Sequence, residues 1–166
     1  MTHHNLPQNW DFFMCHIEGV PASIRTNLAL FELAPLEGLS QRLQFYIKMK
    51  NPTSDGFPSK EEYPILCDIE DAISEKAEAT GAVLAGVVKS EGFLELWFYC
   101  NNAEVLAQTC EEALQAFEGY KSGYNTAEDT QWEDYFDFLY PDEFSYQTMQ
   151  NRKVLMQLEK KGDKLE

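Results

Sequence analysis

The sequence predicts an α+β fold: a ferredoxin-like βαββαβ sandwich with an added N-terminal β-hairpin and a C-terminal helix. Three observations predict it. Residues 43–50, LQFYIKMK, alternate apolar Leu43, Phe45, Ile47 and Met49 with Gln44, Tyr46, Lys48 and Lys50, the period of a half-buried strand. Two segments repeat at helical spacing, Leu66/Ile69/Ile73/Ala77 and Leu106/Cys110/Ala113/Phe117. Between them, 82–89 and 93–100 are apolar runs joined by the short turn Ser90-Glu91-Gly92, which reads as a hairpin.

Each element follows in order. WDFFMCHI (10–17) is strand-like, Glu18-Gly19-Val20-Pro21 is a turn, and 21–32 returns as the second arm of a hairpin. The 43–50 strand comes next, then a loop rich in Asn, Pro, Ser, Asp and Gly. Ser59 and Glu62 are spaced as a capping box for the first helix, with Pro64 an awkward residue just inside it and Gly81 a stop. After the central hairpin, Asn101 and Glu104 are a second capping-box pair, and Gly119 ends the second helix. YKSGY (120–124) reads as a short edge strand, NTAEDTQ as a loop, and WEDYFDFLYP as a strand or an extended lead into the last helix. Two right-handed crossovers then place both helices on one face of an antiparallel sheet. The expected layout is a tail at 1–8, the α+β domain at 9–140, and a helix at 141–166 that is also readable as the opening of a second domain. In that helix Asp142 is the expected cap, Gly162 the stop, and Phe144, Asn151, Val154, Leu155 and Leu158 the inward stripe packed on the chain's own domain.

With 166 residues, 44% of them apolar, the chain has enough material for a core without disulfides. Cys15, Cys67, Cys100 and Cys110 form no C-x-x-C pair and read as reduced, packed thiols, and the cytoplasm is the expected location by default, from the absence of a secretory pattern or membrane span. No apolar run has the length of a membrane span, and MTHHNLPQNW has no secretory pattern. The net charge is −15, concentrated at 59–79 and 104–143, while 144–166 is mildly basic. Such a field disfavours direct nucleic-acid binding and favours a protein partner with a basic surface, or simply serves solubility.

No constellation specifies a reaction. Gly56 is isolated in TSDGFPSK, so no phosphate-cradling loop is present, and Lys48, Lys50 and Lys60 read as solvated. His3 and His4 lie in the tail, and His16 neighbours Cys15 on a strand, where the two side chains take opposite faces. Neither a metal site nor a nucleophile with an oriented base is therefore expected, and no cofactor. Carboxylate pairs such as Glu70-Asp71 and Glu111-Glu112 read as the wet faces of helices. The candidate partner-binding residues are Trp132, Asp134, Asp137 and Tyr140, acids interleaved with aromatics, a pattern that also fits an edge strand protected by charge. The candidate pocket residues, between the sheet and the N-terminal hairpin, are Tyr46, Lys48, Lys50 and Tyr99.

WDFFMCHIEGVPASI, KMKNPTSDGFPSKEEYPILCDIEDAI and the FYC after a glycine hairpin resemble the uncharacterised bacterial family known as domain of unknown function 695, over residues 9–138. That resemblance implies no established activity and no catalytic residues. The tail FLYPDEFSYQTMQNRKVLMQLEKKGDKLE is similar to the segment leading into domains like regulator of ribonuclease activity B, a ribonuclease E inhibitor. It implies a regulatory role toward an RNA-processing enzyme. The expectation is thus a non-enzymatic interaction module with an acidic surface. The alternative is a small-molecule-binding or enzymatic domain with a pocket beside the hairpin.

Overall fold

The computed structural model describes residues 6–165, with side chains to residue 159; His3 and His4 lie outside the described residues, as do the side chains of Lys160 and Lys161. Six strands, β1 (Trp10–Ile17), β2 (Val20–Asn27), β3 (Gln41–Lys48), β4 (Val83–Ser90), β5 (Phe93–Cys100) and β6 (Ser122–Glu128), form one sheet in the order β1-β2-β4-β5-β3-β6. Every neighbouring pair is antiparallel. Helices α1 (Tyr63–Glu78) and α2 (Ala103–Leu114) follow β3 and β5, and α3 (Glu143–Leu165) closes the described chain. The fold is α+β, and the middle of the chain runs β-α-β-β-α-β.

Period-two alternation sets which side of the sheet each residue takes. Leu43, Phe45 and Ile47 of β3 and Leu94, Leu96 and Phe98 of β5 share one core with Leu66, Ile69, Ile73 and Ala77 of α1 and Leu106, Ala107 and Cys110 of α2. Both helices therefore lie on the same side. Burying each such Leu or Ile contributes about 1.5–3 kcal/mol relative to exposure. Pro64 is tolerated because it stands in the first turn of α1, where its missing N–H has no helical partner to lose. Ser59 Oγ accepts the Glu62 N–H at 3.3 Å, but the Glu62 carboxylate turns away from the helix. It accepts the N–H groups of Lys50 (2.7 Å) and Asn51 (2.8 Å) and the Tyr120 hydroxyl (2.7 Å), so the capping box is only half made. The cap of α2 is Asn102, whose side chain accepts the Val105 N–H, and not Asn101; the Glu104 carboxylate instead takes the Tyr124 hydroxyl.

Strand bounds differ from expectation for local reasons. β2 ends at Asn27, because its side chain accepts the Ala29 N–H and caps a 3-10 turn over Leu28–Glu32. β3 is two residues earlier than its alternation suggests. Met49 continues the inward set, but its N–H goes to Gly92 O in the neighbouring turn. β6 extends through NTAE to Glu128, since its full length pairs with β3, from Ser122 opposite Ile47 to Glu128 opposite Gln41. Its polarity is that of an outer strand. Gly56 is required where it stands: a Cβ there would lie 2.8 Å from the Glu91 nitrogen.

The other side of the sheet is covered without α1 or α2. Phe13, Ile24, Val83, Ala85, Val88, Trp97 and Tyr99 pack under Leu28, Leu30, Leu39, Trp132, Tyr135, Leu139 and Met149. WEDYFDFLYP is neither a strand nor extended: Tyr135–Leu139 forms a π-helical turn, closed by the Tyr140 N–H on Tyr135 O at 2.7 Å. Asp129 organises it, accepting the Tyr99 hydroxyl (2.7 Å) and the N–H groups of Glu133 (2.8 Å) and Asp134 (3.0 Å). A β-bulge in β4 and Gly86 admit the turn, since a Cβ on Gly86 would sit 2.9 Å from a Leu139 methyl.

Asp142 does cap α3, accepting the Ser145 N–H at 2.7 Å, but the helix continues through Gly162. The expected inward stripe faces solvent: Phe144 is 81% exposed, Val154, Leu155 and Leu158 more than half, and Asn151 is exposed too. Met149, 1% exposed, is the buried anchor. Arg152 ties α3 to the sheet edge by donating to the Asp11 carboxylate (2.8 Å) and to Phe12 O (2.9 Å) of β1.

Candidate functional site

The structure does not gather Trp132, Asp134, Asp137 and Tyr140 into one surface. Trp132 is fully buried, stacked on Tyr99 with ring centroids 4.0 Å apart, and donates its indole N–H to Leu39 O at 2.8 Å. Asp134 pairs with the buried Arg42 at 2.7 Å. Tyr140 is half-buried against Phe31 and Tyr146, and Asp137 is exposed. The interleaving of acid and aromatic reflects a turn with one face in the core.

Tyr46, Lys48, Lys50 and Tyr99 are also dispersed. Tyr99 is opposite Arg42 and Lys48 opposite Phe93, six residues along β3, or roughly 20 Å at a strand's rise. Tyr99 is wholly buried, and desolvation together with Asp129 holds its hydroxyl protonated far above the ordinary range. Tyr46 packs its ring against Phe93. Lys50 lies beyond the strand, donating to Glu118 O at 2.7 Å with its ammonium 4.3 Å from the Tyr120 ring centroid.

Two other surfaces have chemical character. The first is the outer face of the helical layer. On α1, Asp68, Asp71 and Glu75 lie opposite the stripe that meets the sheet; on α2, Glu111 and Glu112 do likewise, and all five are exposed. None of these five carboxylates enters an ion pair among the described residues, and Lys76 is the only basic residue in either helix. The helices pack side by side, so the carboxylates form one negative field.

The second surface is concave. β1 and β2 extend the sheet beyond α1, leaving a step with the sheet as floor and α1 as wall. A cavity of about 240 Å³ lies in it, lined by Phe12 of β1, Ser23 and Arg25 of β2, Tyr63 of α1, and Val87 and Lys89 of β4. Arg25 is bound to Glu70 of α1 and covers the Trp10 ring at 5.4 Å. The Lys89 ammonium stands 4.8 Å from the Tyr63 ring centroid. Burial, then the Arg25 charge, lower its pKa below the ordinary lysine value. The hairpin is part of the sheet, so this cavity lies between the sheet and α1 and not between the sheet and the hairpin as expected, and it shares none of the four expected residues. Alternation in β2 and β4 puts Ser23, Arg25, Val87 and Lys89 on one face, yet only the β2–β4 pairing brings them together, and no local pattern announces that pairing.

Three of the four thiols are held protonated above the ordinary range. Burial pushes the Cys100 thiol up to about 11 and the Cys110 thiol to about 12, and Cys15 is raised as well. His16 is exposed on the edge strand β1. Among the described residues no three His, Cys, Asp or Glu side chains converge as metal ligands, and no helix is long and apolar enough to cross a membrane.

These features define an α+β protein with a six-stranded antiparallel sheet, a two-helix layer and an aromatic cover on the opposite side. More particularly, residues 8–140 match the sequence profile of a family of unknown function (DUF695), and the chain belongs to that family. No curated protein and no solved structure matches it.

Proposed function

We propose that the chain is a protein-interaction module whose acidic helical face docks on a basic surface of a cytoplasmic partner. The observation that carries this reading is the α1–α2 outer face, where five exposed carboxylates make no ion pair among the described residues. Such a field accelerates encounter with a basic partner and excludes acidic ones. The narrower version is modulation of an RNA-processing enzyme. It is supported by the likeness of the tail to the segment before ribonuclease-inhibitor domains.

The test is charge reversal on the helices. Immobilised protein should retain basic proteins from a cell extract, and release them as salt rises and screening shortens to about 8–10 Å. The combined variant Asp71→Lys, Glu75→Lys, Glu111→Lys should lose that retention while keeping its fold by circular dichroism. Retained proteins that are neutral or acidic, or retention indifferent to both salt and charge reversal, would refute the reading.

A second reading, a small-molecule-binding domain, is favoured by one observation: the cavity beside the hairpin.

A further inference from the structure

We infer that the cavity lined by Phe12, Ser23, Arg25, Tyr63, Val87 and Lys89 binds a small organic monocarboxylate, its charged end on Lys89 and its apolar body between the aromatic walls.

Charge accounting at the cavity leads to this ligand. Three cations lie at or beside it. Arg25 is paired with Glu70, and Arg152, whose guanidinium covers the Phe12 ring at 4.2 Å, is paired with Asp11, which Lys153 shares from outside the cavity lining. Lys89 has no ion-pair partner among the described residues. It is half-buried and faces an aromatic ring rather than a carboxylate. The carboxylate that acts on Lys89, Glu70, is already paired with Arg25, so two cations share one anion; a partly desolvated ammonium without an ion-pair partner of its own is an energetic debit that an incoming anion relieves. One uncompensated positive charge suits one negative charge. A polyanion would instead meet the field of a chain carrying −15.

The remaining lining selects the rest of the ligand. Phe12 is 42% exposed and Tyr63 49% exposed, unusual for rings in a concave site, and Val87 forms an apolar floor between them. The Ser23 hydroxyl makes no hydrogen bond within the described chain and is free to donate to a second carboxylate oxygen. A volume of about 240 Å³ admits a ring or a short alkyl chain with its carboxylate, not a nucleotide. This inference does not rest on the acidic helical face, none of whose five carboxylates lines the cavity.

Phenylacetate and hexanoate are the probes, titrated into the full chain by proton–nitrogen correlation NMR, with phenylacetamide as the uncharged control and inorganic phosphate as the ion control. The expected result is saturable shifts at the amides of 23–25 and 87–89 with both acids. Phenylacetamide should bind at least about tenfold more weakly, because it gives up a charge-assisted hydrogen bond. Lys89→Met should weaken phenylacetate by a similar factor. Lys48→Met, on the opposite face of the sheet, should leave it unchanged. Tyr63→Ala should weaken both acids while sparing the fold, so a poorly folded Lys89 variant would not leave the inference untested. No saturable shift with either acid at millimolar concentration overturns it. So do equal binding of phenylacetate and phenylacetamide, phosphate binding as tight as the acids, or indifference to Lys89→Met in a folded variant.

Discussion

On one side of the sheet, α1 and α2 lay periodic aliphatic stripes over β3, β4 and β5. On the other, a 3-10 turn, a π-helical turn and part of α3 hold aromatic rings in place through buried hydrogen bonds. The first side is nearly all Leu, Ile, Phe and Ala. The second depends on polar groups deep in the structure: Asp129 on Tyr99, Tyr135 on Asn27 O at 2.7 Å, and Trp132 on Leu39 O. Apolar packing tolerates substitutions of similar volume, whereas a buried polar network penalises the loss of any one partner. The aromatic side should therefore be the more brittle.

The sharpest way to break that comparison is to truncate the centre of each side. Trp132→Ala should cost about 3–5 kcal/mol and Ile73→Ala about 2–5 kcal/mol in urea unfolding. The tryptophan variant should also free the 129–140 turn, seen as fast amide exchange confined to that turn. Exchange spread evenly over the sheet would contradict the division. Next in size is Asp129→Ala, which orphans a hydroxyl and two N–H groups and should cost about 2–4 kcal/mol, with about 1–3 kcal/mol from the buried Tyr99 hydroxyl and less from the two part-buried N–H groups that water can reach. Tyr99→Phe should cost less, and the double variant should fall short of the sum of the two, since both changes remove the same bond. A smaller effect tests the helical side: Asn102→Ala should lose about 1 kcal/mol of cap energy, while Asn101→Ala should be close to neutral.

The smallest effect is a difference of sign with pH. Three donors hold Glu62, at the helical side, below the ordinary value of 4.5 despite its burial. Its contribution is present above that value and is lost as pH falls through the lower folded value. Glu95, on the opposite side, is raised by burial against the donors Gln44 and Trp97. Its contribution is present below 4.5 and is lost as pH rises through the higher folded value. Acid titration of stability should thus become shallower in Glu62→Gln and steeper in Glu95→Gln. Slopes that move in the same direction would show that the two carboxylates share one environment.

The helical side was legible in the sequence because its signals are local. Leu66, Ile69, Ile73 and Ala77 face inward as their spacing implies, and the β4–β5 turn stands at Glu91-Gly92. The aromatic side was not, because its logic is non-local. Trp132 takes φ 58° and meets Tyr99, 33 residues earlier, and a π-turn has no familiar apolar period. The same reason hid the cavity, whose residues come from four elements. In α3 the period was read correctly as helical but assigned the wrong face. Met149 and Arg152, one apolar and one charged, hold the helix, and a hydrophobic stripe alone cannot say which side a neighbour occupies.

The bond from Arg152 to Phe12 O also has a consequence for biosynthesis. β1 is the first of the six strands to leave the ribosome, and Phe12 O on its outer rim gains this partner only once Arg152, about 140 residues later, has been added. During that interval the nascent chain carries an open strand edge of the kind that pairs with a foreign strand.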